Sequence, residues 1–416
     1  MSSTTFSRTA GATTASAATL PAPFAAGTPA HRAAKWALFV GGFATFAMFH
    51  GPQPMLPLFV QAFGISPAQA SGVLSATAGA MALGLVPAGL LAQRFGPKPV
   101  MVASMMLGAL ASLLCAVAPN YDVLFVLRAL LGLSLAGIPA VGAAYLAEEM
   151  EPATLGQAIG LIIAGNATGG MTSRLVCGVL ADWGSWRLAF AGLGVLGLGA
   201  ALEFWRALPD SRRHRPRPLD ARAAAADLLA VAREPGMGLL FALGLMLMGI
   251  FVCFYNYLGF RLVEAPFALS HSAIGAIFLL YVVGLVSSPW AGRRADRIGS
   301  APVLAGMLAL AAVGLALTAS AALPVIVAGV GLLTFGFFGA HSVASSWVGR
   351  LARRSKTLAS AGYLTAYYLG ASAMGWLGGH AWTAGGWGGV LGFLGLLWAG
   401  CAVVAWRMRS LPGARR

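Results

Sequence analysis

The sequence is built from apolar runs close to twenty residues long, divided by short connections that hold most of its charge. A helix needs about 20 predominantly apolar residues to cross the hydrocarbon of a bilayer, and inside it the backbone must satisfy its own hydrogen bonds. Such runs fall near 36–60, 68–91, 100–118, 121–145, 154–178, 187–207, 237–261, 271–291, 301–319, 323–347, 358–379 and 386–406. The expected fold is an all-α integral membrane protein with twelve transmembrane helices. Only 9% of the residues are charged, against roughly 25% in a soluble domain, so most of the surface has to face lipid.

An even number of spans puts both termini on one side. The formal charge of +15 would suit a nucleic-acid partner, but Lys and Arg sit in the connections, at Arg94 and Lys98, Arg293 to Arg297 and Arg350 to Lys356. That is the distribution of cytoplasmic loops, and it places both termini in the cytoplasm of a bacterial-type inner membrane. Only Arg187 and Arg261 then approach the outer surface, while Arg128 and Arg174 fall within spans. Membrane lipids are the expected surroundings, and nucleic acid is not an expected partner. Cys115, Cys177, Cys253 and Cys401 each lie inside an apolar run and read as small hydrophobes. The six histidines are scattered, so no metal or cofactor is expected. Without a P-loop, a dinucleotide fingerprint or a nucleophile triad, the chain is not expected to be an enzyme.

The longest polar interruption, 208–236, reads as a basic turn followed by an amphipathic interfacial helix. It separates a six-span half over 36–207 from another over 237–406, with a flexible cytoplasmic tail over 1–35 and a cytoplasmic tail over 407–416. Two connections repeat: GLLAQRFGPK at Gly89–Lys98 and GRRADRIGS at Gly292–Ser300 start 203 residues apart. Each follows the second span of its half and turns at a glycine, Gly96 or Gly299. Two similar bundles that rock about a central site would give such a recurrence a physical purpose.

At these loops the sequence resembles the major facilitator superfamily, in particular its twelve-helix drug/proton antiporter branch and the bacterial arabinose-efflux-like permeases. Gly292, Asp296, Arg297 and Gly299 match the superfamily's loop signature; Gly89, Arg94, Gly96 and Lys98 match it in the first half, where Gln93 replaces the usual Asp and Pro97 a usual basic residue. Arg128 and Gly132 resemble the fourth-span signature, and Arg128, Gly132, Ala136 and Ala140 form a ridge at i,i+4 spacing. Gly165, Gly169 and Gly170 resemble the fifth-span antiporter signature, with Asn166 in place of its Pro. YLAEEMEP at Tyr145–Pro152, WRLAF at Trp186–Phe190 and LPDSR at Leu208–Arg212 extend the likeness. Glu148 or Glu149 could engage a basic residue of a repeated loop when the outward gate is open, or be an ordinary interfacial charge.

The resemblance implies a secondary transporter, a functional monomer, that exports a small organic compound by proton antiport through alternating access. Uptake or exchange of a small organic anion is the alternative, favoured by the intramembrane arginines; a non-transporting sensor or scaffold is another. A path between the halves would draw on His50, Gln53, Arg128, Asn166 and Arg174 from the first half. Tyr255, Asn256, Tyr281, His341, Tyr363 and Tyr367 would line it from the second. Asn166 and Arg174 share one helical face, which either lines the path or packs and reaches the headgroups. Arg128 either anchors a polar group or snorkels outward. No acidic residue lies deep in a first-half span, so His341, then His50, with Arg128 as a polar switch, are the candidates for proton coupling.

Overall fold

The computed structural model describes residues 21–216, 219–411 and 414. Many of its helices start where a short side chain accepts an otherwise free backbone N–H. Thr28, Ser66, Asn120, Ser185, Ser270 and Ser355 each do so, and Ser66 forms a reciprocal capping box with Gln69. Helices α1 (Pro29–His50) and α2 (Leu56–Phe63), joined by a 3-10 turn at Gln53–Met55, make the first span. Spans two and three are α3 (Pro67–Phe95) and α4 (Pro97–Ala116); α5 (Tyr121–Leu135) and α6 (Gly137–Glu149) are the fourth. Helices α7 (Pro152–Trp183) and α8 (Trp186–Ala207) close the first half.

A short helix, α9 (Ala221–Ala232), occupies the linker, largely exposed and with Val231 buried, as the amphipathic reading expects. The second half then runs through α10 (Met237–Val263), α11 (His271–Ile277) with α12 (Val282–Ile298), α13 (Ser300–Leu317) and α14 (Leu323–Leu351). The last helical stretch, α15 (Lys356–Arg407), holds two spans that meet at Gly385 and Gly386, where the φ of +54° at Gly386 favours a residue without Cβ. Among the described residues nine segments are long and apolar enough to cross a membrane. Dividing the last of them at its kink, and adding the broken first span and α7, gives the expected twelve in two six-helix bundles.

The duplicated turns take one conformation: φ is +94° at Gly96 and +93° at Gly299, a region closed to most side chains. Related helix pairs also approach alike. A Cβ on Gly169 would strike the backbone of Phe43 in α1, and one on Gly370 would strike that of Leu245 in α10. Gly132 meets the Thr77 backbone in the same way, so the ridge on the fourth span is a packing face against the second.

Two expectations need correction. The first span is not continuous over 36–60, because Pro52 and Pro54 cannot donate to the helical ladder and break it. The tail expected over 1–35 ends earlier: helix begins at Pro29, and buried Phe24 donates its N–H to the Glu149 carbonyl at 2.6 Å. Residues 1–20 of that tail lie outside the described residues.

Candidate functional site

The loops at 64–66, 117–120, 184–185, 264–270, 318–322 and 385–386 mark one end of the bundle, here the far side; the linker and the duplicated turns mark the other. The hydrogen bonds between the halves, among the described residues, include those of Gln53, Ser71, Ser75 and Asp182 of the first half. All four belong to the far-side part of the molecule. Along the second and eleventh spans the close approaches run from Ala68 and Gly379 to Gly79 and Ser372. Gly79 is about 18 Å from the far-side end of α3 at a rise of 1.5 Å per residue. At the linker-side ends a Cβ on Gly89 or Gly292 would meet nothing within 4 Å.

The centre of this seam is a buried polar chain. Arg174 Nε donates to Gln53 Oε1 at 2.7 Å, and Gln53 Nε2 donates to Asn256 Oδ1 at 2.6 Å. Asn256 Nδ2 then donates to Ser71 Oγ at 2.8 Å, and Ser71 Oγ to the Gly375 carbonyl at 2.7 Å, which also accepts from Tyr257 at 3.0 Å. Gln53 and Asn256 are 203 residues apart, the same number that separates the starts of the duplicated loops. Arg174 Nη1 donates to Gly170 O at 2.7 Å, and its guanidinium lies 4.7 Å from the Phe278 and Tyr281 ring centres of the eighth span.

Nearer the mouth, Asp182 takes four bonds from the start of α11. Its Oδ1 accepts from the His271 N–H at 3.1 Å and lies 2.8 Å from His271 Nδ1; its Oδ2 accepts from the Ser272 N–H at 2.7 Å and from Ser272 Oγ at 2.5 Å. Gly178 and Gly275 let the fifth and eighth spans close together here, their Cα atoms facing the backbone of His271 and of Arg174 and Leu175. Ser71, Asp182, His271 and Ser272 thus carry the seam without having stood out in the sequence.

Arg128 is buried but does not reach the seam, which corrects its placement on the path. Its Nε donates to Val73 O at 3.2 Å, Nη1 to Met48 O at 2.9 Å and Nη2 to Phe49 O at 2.7 Å. Met48 O would accept from residue 52 in a continuous helix, but Pro52 has no N–H, so the guanidinium satisfies the carbonyls that the break releases. Asn166 is also turned away from the seam, its side-chain oxygen packed against Gly42 of α1. Gly165 and Gly169 fit over the Phe39 and Phe43 backbones, so the fifth-span signature acts here as a packing surface for the first span. His50 is buried against the Phe46 and Phe49 rings.

The second half lines its side with rings. Tyr255 stacks on Phe278 at 4.8 Å and bonds Thr334 at 2.7 Å; Phe251 stacks on Phe337 at 3.8 Å; Phe337 lies parallel to His341 at 6.1 Å. His341 Nδ1 is 3.0 Å from Tyr363 Oη, and its ring is 4.7 Å from Tyr367. His341 and Tyr367 are half-buried, while Tyr363 is buried.

On the linker side Glu148 and Glu149 bond to the linker in this state, while the link to a repeated loop is expected of the outward-open one. Glu149 Oε1 accepts from Ser211 Oγ at 2.5 Å and from the Arg213 N–H at 2.9 Å, and the Glu148 carbonyl accepts from Arg213 Nη1 at 2.8 Å. Of the repeated loops, Lys98 pairs with Asp210 of the linker at 3.0 Å, and Asp296 with Arg350 of the same half at 3.5 Å. Arg94 and Arg297 are exposed. With the bundles parted here, a carboxylate on the fourth span meets the nearby linker first.

Residues 38–279 match the profile of the Major Facilitator Superfamily. The inner membrane transport protein YnfM of Escherichia coli K12 is 41% identical over 371 residues, covering 89% of each chain. The uncharacterized MFS-type transporter YybF of Bacillus subtilis 168 is 39% identical over 368 residues, 88% of this chain and 91% of that one. Among solved structures, a bacterial homolog of the human lysosomal transporter Spinster, in an inward-facing and occupied conformation, superposes with a TM-score of 0.76 at 15% identity, covering 94% of this chain and 99% of that one. At that identity the likeness concerns the fold.

Proposed function

The chain belongs to the Major Facilitator Superfamily, and on that premise we propose that it works as a monomer, exporting a small organic solute across a bacterial inner membrane by proton antiport through alternating access. The observation that carries this reading is the one-sided seam. The halves are tied by Gln53, Ser71, Ser75 and Asp182 on the far side, and at the linker-side ends a Cβ on Gly89 or Gly292 would meet nothing within 4 Å. The basic linker and duplicated loops make the parted side the cytoplasmic one by the positive-inside bias, so this is an inward-open state that takes its solute from the cytoplasm. Outward opening then requires the polar chain and the Asp182 clamp to part while the linker-side ends come together.

His341 is our leading proton-coupling residue, with His50 second. It is half-buried and hydrogen-bonded to Tyr363. Arg128, committed to carbonyls of its own half, belongs to the frame. Uptake or exchange of an organic anion is a second reading, favoured by the seam position of Arg174. Flux in proteoliposomes with imposed pH gradients tests the proposal. Accumulation should follow the gradient in the antiport direction, and His341→Gln should abolish solute-induced proton movement while retaining binding. Normal coupled flux in His341→Gln removes that residue, and accumulation with the same orientation as the proton flow contradicts antiport.

A further inference from the structure

We propose that the solute is an aromatic organic anion, its carboxylate held by Arg174 and its ring by the second-half rings around Tyr281. This rests on the transport reading above and adds the chemistry of what is carried.

Arg174 is buried, and the groups that face it are neutral. Gln53 Oε1 and the Gly170 carbonyl accept its hydrogen bonds, and Phe278 and Tyr281 cover it at 4.7 Å each. None of the ion pairs among the described residues includes it. Neutral acceptors and ring faces offset part of the cost of a desolvated guanidinium; an anion offsets it more fully, and two parallel N–H groups suit a carboxylate. Arg128 provides the internal contrast. It is equally buried and lacks an acid, but its three bonds go to carbonyls of one half, where it closes a helix break. The contacts of Arg174 come from both halves, and one is a rotatable Gln side chain that an anion can displace.

The ring preference follows from what stands beside it. Tyr281 lies 5.1 Å from Tyr255 and 5.3 Å from Phe251, whose other face meets Phe337, and Phe337 leads to the half-buried His341. A flat ring brought to Arg174 would find faces and edges of these aromatic side chains to pack on once they part to admit it. Displacement of Gln53 from Arg174 would also disturb the bond from Gln53 to Asn256, so the same event that binds the anion loosens the far-side clasp. By linkage, an opened clasp must change anion affinity by the same factor.

The test is titration calorimetry on the full chain in nanodiscs, without any gradient, using benzoate and cinnamate against benzamide and cinnamamide. Each carboxylate should bind roughly tenfold or more tightly than its amide, as expected for a charge-assisted pair replacing a neutral one. Arg174→Gln should remove that preference and Arg174→Lys should restore part of it, because lysine keeps the charge without the fork. Should Arg174→Gln fail to fold, Tyr281→Leu serves instead; it should weaken carboxylate and amide alike and leave their ratio unchanged. Equal binding of acid and amide by the wild-type chain overturns the inference, as does a preference that survives in folded Arg174→Gln, or one that Tyr281→Leu abolishes. The transport reading fails separately: anion binding with no proton-coupled flux sinks antiport alone, and coupled flux of the amides alone sinks the anion alone.

Discussion

The two halves follow one plan of helices yet fill their facing surfaces differently. The first contributes one buried guanidinium to the seam, Arg174, and holds a second, Arg128, within its own frame. Among the described membrane-embedded residues, the second buries no arginine and sets Phe251, Tyr255, Phe278, Tyr281 and Phe337 in their place. Duplication therefore preserved what packing needs, the glycine turns and the small-residue crossings, and left inner side chains free to diverge. Charge comes from one side of the seam and ring faces from the other, so neither half makes the site alone.

The shared plan breaks most severely at its closest crossings. Gly169→Leu and Gly370→Leu each force a side chain into a neighbouring backbone, at Phe43 and Leu245, and each should cost about 3 kcal/mol or more. Folded yield by fluorescence-detected size exclusion should fall for both; a loss in only one half would show that the crossings are not equivalent. The difference between the arginines comes next. Arg128→Gln strips donors from the Met48 and Phe49 carbonyls and should cost about 2–3 kcal/mol, read as a lower melting temperature. Arg174→Gln should melt closer to wild type and lose its preference for a carboxylate solute instead.

Within the seam, the buried chain should matter more than the mouth. Asn256→Ala removes the partner of both Gln53 and Ser71 and should raise far-side labelling of a cysteine placed at Ser75 about fivefold, the effect of about 1 kcal/mol. Asp182→Asn retains one accepting oxygen at a partly exposed site and should raise it less. Equal labelling rates in the two variants would place closure elsewhere.

Much of the fold was legible because lipid imposes a length on every span, and the basic loops and the 203-residue spacing of Gly89 and Gly292 mark duplication directly. The break at Pro52 and Pro54 was written in the sequence but masked by an apolar run long enough to cross unbroken. The site was legible in part. Gln53, Arg174, Asn256 and Tyr281 are polar or aromatic within apolar runs, and the structure brings them together. Arg128 and Asn166 carry the same signal, but a buried polar side chain serves a frame as readily as a path, and only its partners distinguish the two. The Asp182 clamp was not legible, because its acceptors and donors lie about ninety residues apart and meet in a particular arrangement of the halves.

The central claim is that far-side closure and linker-side opening are two readings of one rigid-body motion. Spin labels on Trp183→Cys with Glu264→Cys report the far side, and on Ala153→Cys with Lys356→Cys the linker side; the four native cysteines are buried and poorly placed to take label. Electron–electron distance measurements should give a short far-side distance in the wild-type background. Adding Asn256→Ala with Asp182→Asn should lengthen it while shortening the linker-side distance in the same fraction of molecules. A far side that opens with the linker-side distance unchanged would contradict alternating access by these two halves.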